Sequence, residues 1–171
     1  MELRDVMLKR RSIRRYTDEP IPEEKLERIL EAGLLAPTSM NKRPWEFFVV
    51  RDRETLARLS KAKAHGAGLL AGAAAAIAVF ADGDLSDVWV EDCSIALSYM
   101  DLAAADQGIG SCWVQMRLRR DEAGNDAEQN VKDILGAASP YRLVGLMSLG
   151  IPAEEKLPYD PAGLKWEKVH R

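Results

Sequence analysis

The stretch GAGLLAGAAAAIAVFA, Gly66–Ala81, contains no charged residue. A bilayer-crossing helix needs about 20 predominantly apolar residues, so this run is too short and too rich in small side chains to span one. It divides instead into a short helix and a buried strand, AAIAVFAD (Ala75–Asp82). A buried strand must have neighbours in a sheet and another layer packed over it. The rest of the chain should supply both.

Three further segments read as strands: EFFVVRD (Glu46–Asp52), SCWVQMRL (Ser111–Leu118) and YRLVGLMSLGIP (Tyr141–Pro152). Helical periods lie before and between them. ELRDVMLKRR places Leu3, Val6, Met7 and Arg10 at helical spacing. TDEPIPEEKLERILEAGLLAP has Pro22 at a helix start, acidic residues in the first turn, a face of Leu26, Ile29, Leu30 and Leu34, and Pro37 as its stop. TLARLSKAKA is helical. DVWVEDCSIALSYMDLAAADQGI (Asp87–Ile109) is the longest helical stretch, with Ile95, Ala96, Tyr99, Leu102 and Ala103 in phase and Gly108 as the stop. DAEQNVKDILG starts at the cap residue Asp126 and ends at Gly136. The tail AEEKLPYDPAGLKWEKVHR reads as a wrapping segment. No repeat or long linker interrupts residues 1–171, so the expectation is one α+β domain whose sheet is covered by helices.

The total charge excludes some functions. Apolar residues make up 47% of the 171, and the formal net charge is -3. An acidic chain is a poor general nucleic-acid binder, and no segment reads as a membrane span. The N-terminus has no apolar secretory core. With only Cys93 and Cys112, a reduced cytoplasmic setting is expected, with both thiols packed as small apolar groups. His65 and His170 lack metal-ligand spacing, so no metal is expected. Neither G-x-S-x-G nor C-x-x-C occurs, and no side chain stands out as a nucleophile. A cofactor should therefore carry any chemistry.

Against this acidic background, LKRRSIRRY (Leu8–Tyr16) packs four arginines and a lysine into nine residues. A charge run is most often a solvated face, and Arg119 and Arg120 are read that way. In RRSIRRY, however, the arginines flank a hydroxyl just after a helix. Arginine's planar fork matches a phosphate, and serine adds another donor. That pairing suits a single phosphomonoester. APTSMNKRPWEF then sets Pro37, Thr38, Ser39 and Asn41 in a short polar turn between helix and strand; ordinary turn chemistry explains it as well as ligand binding does. QGIGSCW lacks the third glycine of a dinucleotide fingerprint and opens a strand, not a helix. Its glycines fit either a helix cap and turn or the close approach of a flat ligand.

RRSIRRY, APTSMNKRPWEF and GIGSCWVQ, in that order, resemble the FMN-dependent nitroreductase family, and the similarity covers nearly the whole chain. The resemblance implies a nitroreductase-like α+β FMN-binding fold, with a central, mainly antiparallel sheet covered by helices, and an intertwined homodimer with two FMN sites at the subunit interface. Arg10, Ser12 and Arg14 match the residues that hold the phosphate, the ribityl chain and the flavin's pyrimidine edge, with Arg11 beside them. Pro37, Thr38, Ser39 and Asn41 match the segment reaching the flavin from the other subunit. Trp113, Val114 and Gln115 match the strand bordering the ring near N5. The implied activity is two-electron reduction of nitroaromatic or quinone-type acceptors by NADH or NADPH, with hydride passing through N5 and no catalytic side chain. Same-fold alternatives are reductive dehalogenation and flavin cleavage; a flavin-binding or sensing protein without turnover is the non-enzymatic one. Two departures stand out. Arg43 replaces the glutamine common before the Pro-Trp pair. The C-terminal basic pair that completes the phosphate site is not evident, leaving Lys156 and Lys165 unassigned.

Overall fold

A computed structural model describes residues 2–171. Its element order is α1 (Leu3–Lys9), α2 (Glu23–Leu34), β1 (Trp45–Val50), α3 (Arg53–Leu59), β2 (Ala75–Asp82), α4 (Trp89–Asp106), β3 (Gly110–Gln115), α5 (Ala127–Leu135) and β4 (Tyr141–Gly150), joined by short 3₁₀ turns. The four strands form one antiparallel sheet in the order β1-β2-β4-β3. The expected α+β architecture is therefore present.

The all-apolar β2 is central because its residues face two cores. Ala76, Ala78 and Phe80 point toward α3 and α5, where they meet Leu56, Leu59 and Val131. Ala75, Ile77, Val79 and Ala81 point toward α2 and α4, where they meet Leu26, Ile29, Leu97 and Met100. This is the period-two alternation of a strand covered on both faces. The register shifts between Val79 and Phe80, opposite Gly145 on β4. Only glycine fits at 145, since a Cβ there would stand 2.8 Å from the Val114 carbonyl oxygen. Helix α2 crosses α4 at Gly33, where a Cβ would meet Met100 at 3.0 Å and Phe47 at 3.1 Å.

Local signals set most boundaries. Asp126 caps α5 by accepting the Glu128 N–H, and Gly136 closes that helix in a left-handed conformation. Gly108 takes φ +70 just past α4. Four expectations shift. Helix α3 stops at Leu59 rather than running through Ala64, whose N–H turns to the Arg120 carbonyl. Leu34 is exposed rather than buried, and Gly33 takes its place on the inner face of α2. Strand β3 ends at Gln115, because Arg117 N–H turns to the Val144 carbonyl and Leu118 adopts φ 60. On α4 the buried stripe is Cys93, Ala96, Leu97, Met100 and Ala104, which leaves Ile95 and Tyr99 exposed. No helix among the described residues is long and apolar enough to cross a membrane.

Candidate functional site

The basic segment leaves α1 at Arg10 and runs beside the start of β3. The Ile13 N–H donates to the Ser111 carbonyl at 2.9 Å, and Ser12 bridges Ser111 in parallel. Pairs of arginines are interleaved with Ile13 and Tyr16 here for a physical reason. Ile13 is buried against Gly110, whose missing Cβ would lie 2.9 Å from Ile13 Cγ2. The Tyr16 ring lies on Gly150, and a Cβ there would meet the ring at 2.7 Å. The Tyr16 hydroxyl donates to the Ile13 carbonyl at 2.7 Å and shares a second hydrogen bond with Ser148, also at 2.7 Å. Burial pushes the Tyr16 phenol well above its ordinary value. With Ile13 and Tyr16 pinned inward, Arg14 and Arg15 between them are left exposed.

The tail then folds back onto the cations. Arg10 Nη1 donates to Asp101 Oδ2 and Nη2 to the Tyr159 hydroxyl, each at 3.3 Å. Arg11 donates to the Leu157 carbonyl, and its guanidinium stacks 4.7 Å from the Tyr159 ring centroid. Lys156 Nζ donates to the Ser12 carbonyl at 2.5 Å. Glu154 accepts the Arg14 N–H at 2.7 Å and lies 3.4 Å from Lys156. That backbone donor, followed by the Lys156 charge, holds the Glu154 carboxyl below its usual range. Lys9, Arg10, Arg11, Ser111, Glu154 and Lys156 line part of one cleft of about 610 Å³. Ser12 and Arg14 are not among its lining residues. The cleft's cations outnumber its carboxylates, a donor set that suits a phosphate. Lys156, left unassigned by sequence, is thus part of the basic cluster, whereas Lys165 lies in the exposed tail.

The polar turn is built elsewhere on the molecule. Ser39–Asn41 form a 3₁₀ turn after the exposed Pro37. Ser39 N–H donates at 2.8 Å to Asp92, a carboxylate 2% exposed in the first turn of α4. Ser86 Oγ donates to the other Asp92 oxygen at 3.0 Å. Arg43, in place of the expected glutamine, folds back over the turn. Its N–H donates to Thr38 Oγ1 and its Nε to Asn41 Oδ1, both at 3.0 Å. Met40, Asn41 and Arg43 all have φ between 48 and 55, a left-handed conformation that costs non-glycine residues energy and needs outside support. Asp92 and Arg43 provide that support.

Strand β3 is an edge of the sheet. The Ser111 carbonyl accepts from Ile13, and the Gln115 carbonyl accepts from Lys63 Nζ at 2.7 Å, so both point away from β4. The two-residue alternation puts the Trp113 backbone groups on the same outward edge. Val114 is buried in the α3/α5 core, and the Trp113 indole donates to Gln115 Oε1 at 3.0 Å. Lys63 is half-buried, and burial, followed by the nearby Arg119 charge, lowers its ammonium below its ordinary value. Sequence reasoning missed Lys63, Asp92, Asp101 and Tyr159. Gly108 and Gly110 are accounted for by positive φ and by Ile13, so neither needs a ligand to explain it.

The chain does not bring all these residues to one place. The basic knot and β3 adjoin, but residues 37–41 do not line their cleft. The turn is anchored at Asp92 and the knot at Asp101, nine residues apart on α4. That separation is about two and a half turns, so the anchors sit on opposite sides of the helix with roughly 13.5 Å of axial rise between them.

Comparison with known proteins places this arrangement. The Nitroreductase family profile matches residues 7–67 and 62–151. An Archaeoglobus fulgidus protein, provisionally named NADH dehydrogenase/NAD(P)H nitroreductase, is 40% identical over 95% of this chain and 92% of its own. The structure of an FMN-dependent nitroreductase from Clostridium difficile superimposes with a TM-score of 0.95 at 42% identity, covering 98% of this chain and 97% of that one. A protein of Desulfovibrio desulfuricans, provisionally named a nitroreductase and solved in complex with FMN, superimposes with a TM-score of 0.76 at 27% identity, covering 100% of this chain and 99% of that one. Sheet order, basic knot and edge strand together with these matches lead to one conclusion: the chain belongs to the nitroreductase family.

Proposed function

We propose that the chain, as one domain over residues 1–171, is an FMN-dependent oxidoreductase that uses NADH or NADPH to reduce nitroaromatic or quinone-type acceptors. The observation that carries this reading is the convergence of Arg10, Arg11 and Lys156 on a cleft beside the outward edge of β3. The cations suit a phosphate, and the edge offers fixed backbone groups to a flat ring. Bound there, FMN supplies the two-electron exchange between nicotinamide and acceptor. The protein's own groups position and polarise. Arg10, Arg11 and Lys156 hold the phosphate, and Ser12 lies along the ribityl chain. Arg14 places a fixed positive charge at the pyrimidine edge, and Trp113–Gln115 border the ring. The setting is cytoplasmic, with both thiols reduced and buried.

The same reading makes the functional unit an intertwined homodimer. Pro37, Thr38, Ser39 and Asn41 are anchored on the opposite side of α4 from the knot, so within one chain they face away from it. In a two-fold assembly the turn of each protomer completes its partner's site. Ile95 and Tyr99, exposed on α4, provide an apolar surface for that contact.

The test is a visible spectrum of the purified protein, followed by steady-state oxidation of NADH and of NADPH with a quinone and with a nitroaromatic. A yellow protein that turns over supports the reading. Bound flavin without turnover on either acceptor means a flavin-binding protein, and a protein that takes up no flavin excludes both.

A further inference from the structure

We infer that Asp101 is the positioning residue of the phosphate subsite: it holds the Arg10 guanidinium at the cleft wall and locks it to Ser111 on β3. The inference rests on the FMN reading above.

Asp101 is one carboxylate with two engagements. Its Oδ2 receives Arg10 Nη1 at 3.3 Å, and its Oδ1 receives the Ser111 hydroxyl at 2.6 Å. The two side chains of the ion pair are only 24% and 20% exposed, so solvent screens the pair less than it would at the surface. Each partner comes from a different element: Arg10 follows α1, Asp101 is in α4, and Ser111 is in β3. Arginine has many rotamers and loses much freedom when it binds. A short aspartate on a rigid helix removes that freedom before the ligand arrives, which is preorganisation.

The hydrogen-bond inventory shows that Asp101 does not use up the arginine. A guanidinium carries five N–H groups. Asp101 takes one from Nη1 and Tyr159 one from Nη2, so the others remain for phosphate oxygens. Ser111 is different. Its only hydroxyl proton goes to Asp101, so Ser111 serves as a structural tie rather than a phosphate donor.

A competing expectation has the opposite sign. A carboxylate beside a phosphate repels it, so simple charge counting says that neutralising Asp101 tightens FMN. Positioning says that it weakens FMN. The experiment is fluorescence titration of flavin-stripped protein with FMN and with riboflavin, which lacks the phosphate. The chains are wild type, Asp101→Asn, Asp101→Glu, Arg10→Ala and the double variant Arg10→Ala/Asp101→Asn. The expected result is about a tenfold loss of FMN affinity in Asp101→Asn, riboflavin affinity held within about twofold, and partial recovery in Asp101→Glu. In the Arg10→Ala background the Asn substitution should have no further effect, since its partner is gone. Unchanged or tighter FMN binding by Asp101→Asn overturns the proposal. Equal losses for FMN and riboflavin also overturn it, because they indicate general loosening. Wild-type protein that binds both flavins alike removes the phosphate subsite and this role while leaving the flavin reading standing. Wild-type protein that binds neither removes both.

Discussion

Replacing Asp92 should damage the binding site that its Ser39–Asn41 turn completes on the partner protomer. Asp92 is buried, and among the described residues its oxygens are met by hydrogen-bond donors rather than by a cation: the Ser39 N–H at 2.8 Å and the Ser86 hydroxyl at 3.0 Å. Each bond is charge-assisted and contributes about 1.5–3 kcal/mol. The first turn of α4 favours the negative charge by roughly 0.3–1 kcal/mol more. Against this stands the cost of burying the carboxylate, which alanine abolishes. The net expectation is about 2–3 kcal/mol of destabilisation for Asp92→Ala. Asparagine keeps an acceptor for the Ser39 N–H and can donate to Ser86, so Asp92→Asn should cost about 1 kcal/mol. For a chain of this size those losses correspond to Tm shifts of roughly 4–12 °C and 2–4 °C. Thermal denaturation of the flavin-free variants measures them. The functional consequence is separate. The Ser39–Asn41 turn, with its strained φ values, should loosen in the alanine variant and weaken FMN binding more than in the asparagine variant. An unshifted Tm in Asp92→Ala, or an asparagine variant as damaged as the alanine one, would refute the reasoning.

Arg14 is exposed, and its guanidinium reaches the Ser12 carbonyl at 3.5 Å, so Arg14→Ala should retain FMN but lower its two-electron midpoint potential by about 30–65 mV, toward the lower end because water screens the charge; spectroelectrochemical titration decides, and an unshifted potential removes Arg14 from the ring. The Glu154 carboxyl is held below its ordinary 4.5 by the Arg14 N–H and Lys156, so its tie stabilises the fold above that pH and is lost as pH falls through the lower folded value. Glu154→Gln should therefore be less stable than wild type at pH 7, with the gap closing below about pH 4.5; a gap that persists at acid pH would show that the charge is not involved. Burial pushes the Cys93 thiol up to about 12 from 9.0, so the unfolded chain ionises first and stability should fall as pH rises above about 9. At pH 8 an aromatic disulfide reagent should label Cys93 only after denaturation, and labelling of the native protein would contradict its burial.

How much of this was legible in the sequence depended on whether a signal was local. Strand β2 was readable to its ends, since a run of apolar residues bounded by an acid has few other uses. The caps Asp126 and Gly136 marked α5, because a side-chain acceptor and a left-handed residue are needed there whatever packs nearby. The phase of α4 was not readable. Ile95, Tyr99 and Leu102 are as apolar as Leu97 and Met100, so periodicity alone could not say which set faces the sheet. The end of β3 was set by Arg117 turning to Val144, a contact between distant segments. The knot itself was visible as a charge anomaly in an acidic chain. Its supports were not, because Asp92 and Asp101 look like ordinary solvated acids of a helix until the fold brings Ser39 and Arg10 against them. Lys156 was ambiguous for the same reason: only the returning tail places it over Ser12.

The central claim is that two chains share two flavins, each held by the knot of one protomer and the polar turn of the other. Native mass spectrometry of the FMN-supplemented protein tests it in a single measurement. The chain has a mass of 19.0 kDa, and the account predicts one dominant species of two chains carrying two FMN. A monomer carrying FMN would contradict the shared site, and a dimer carrying none would contradict the flavin assignment itself.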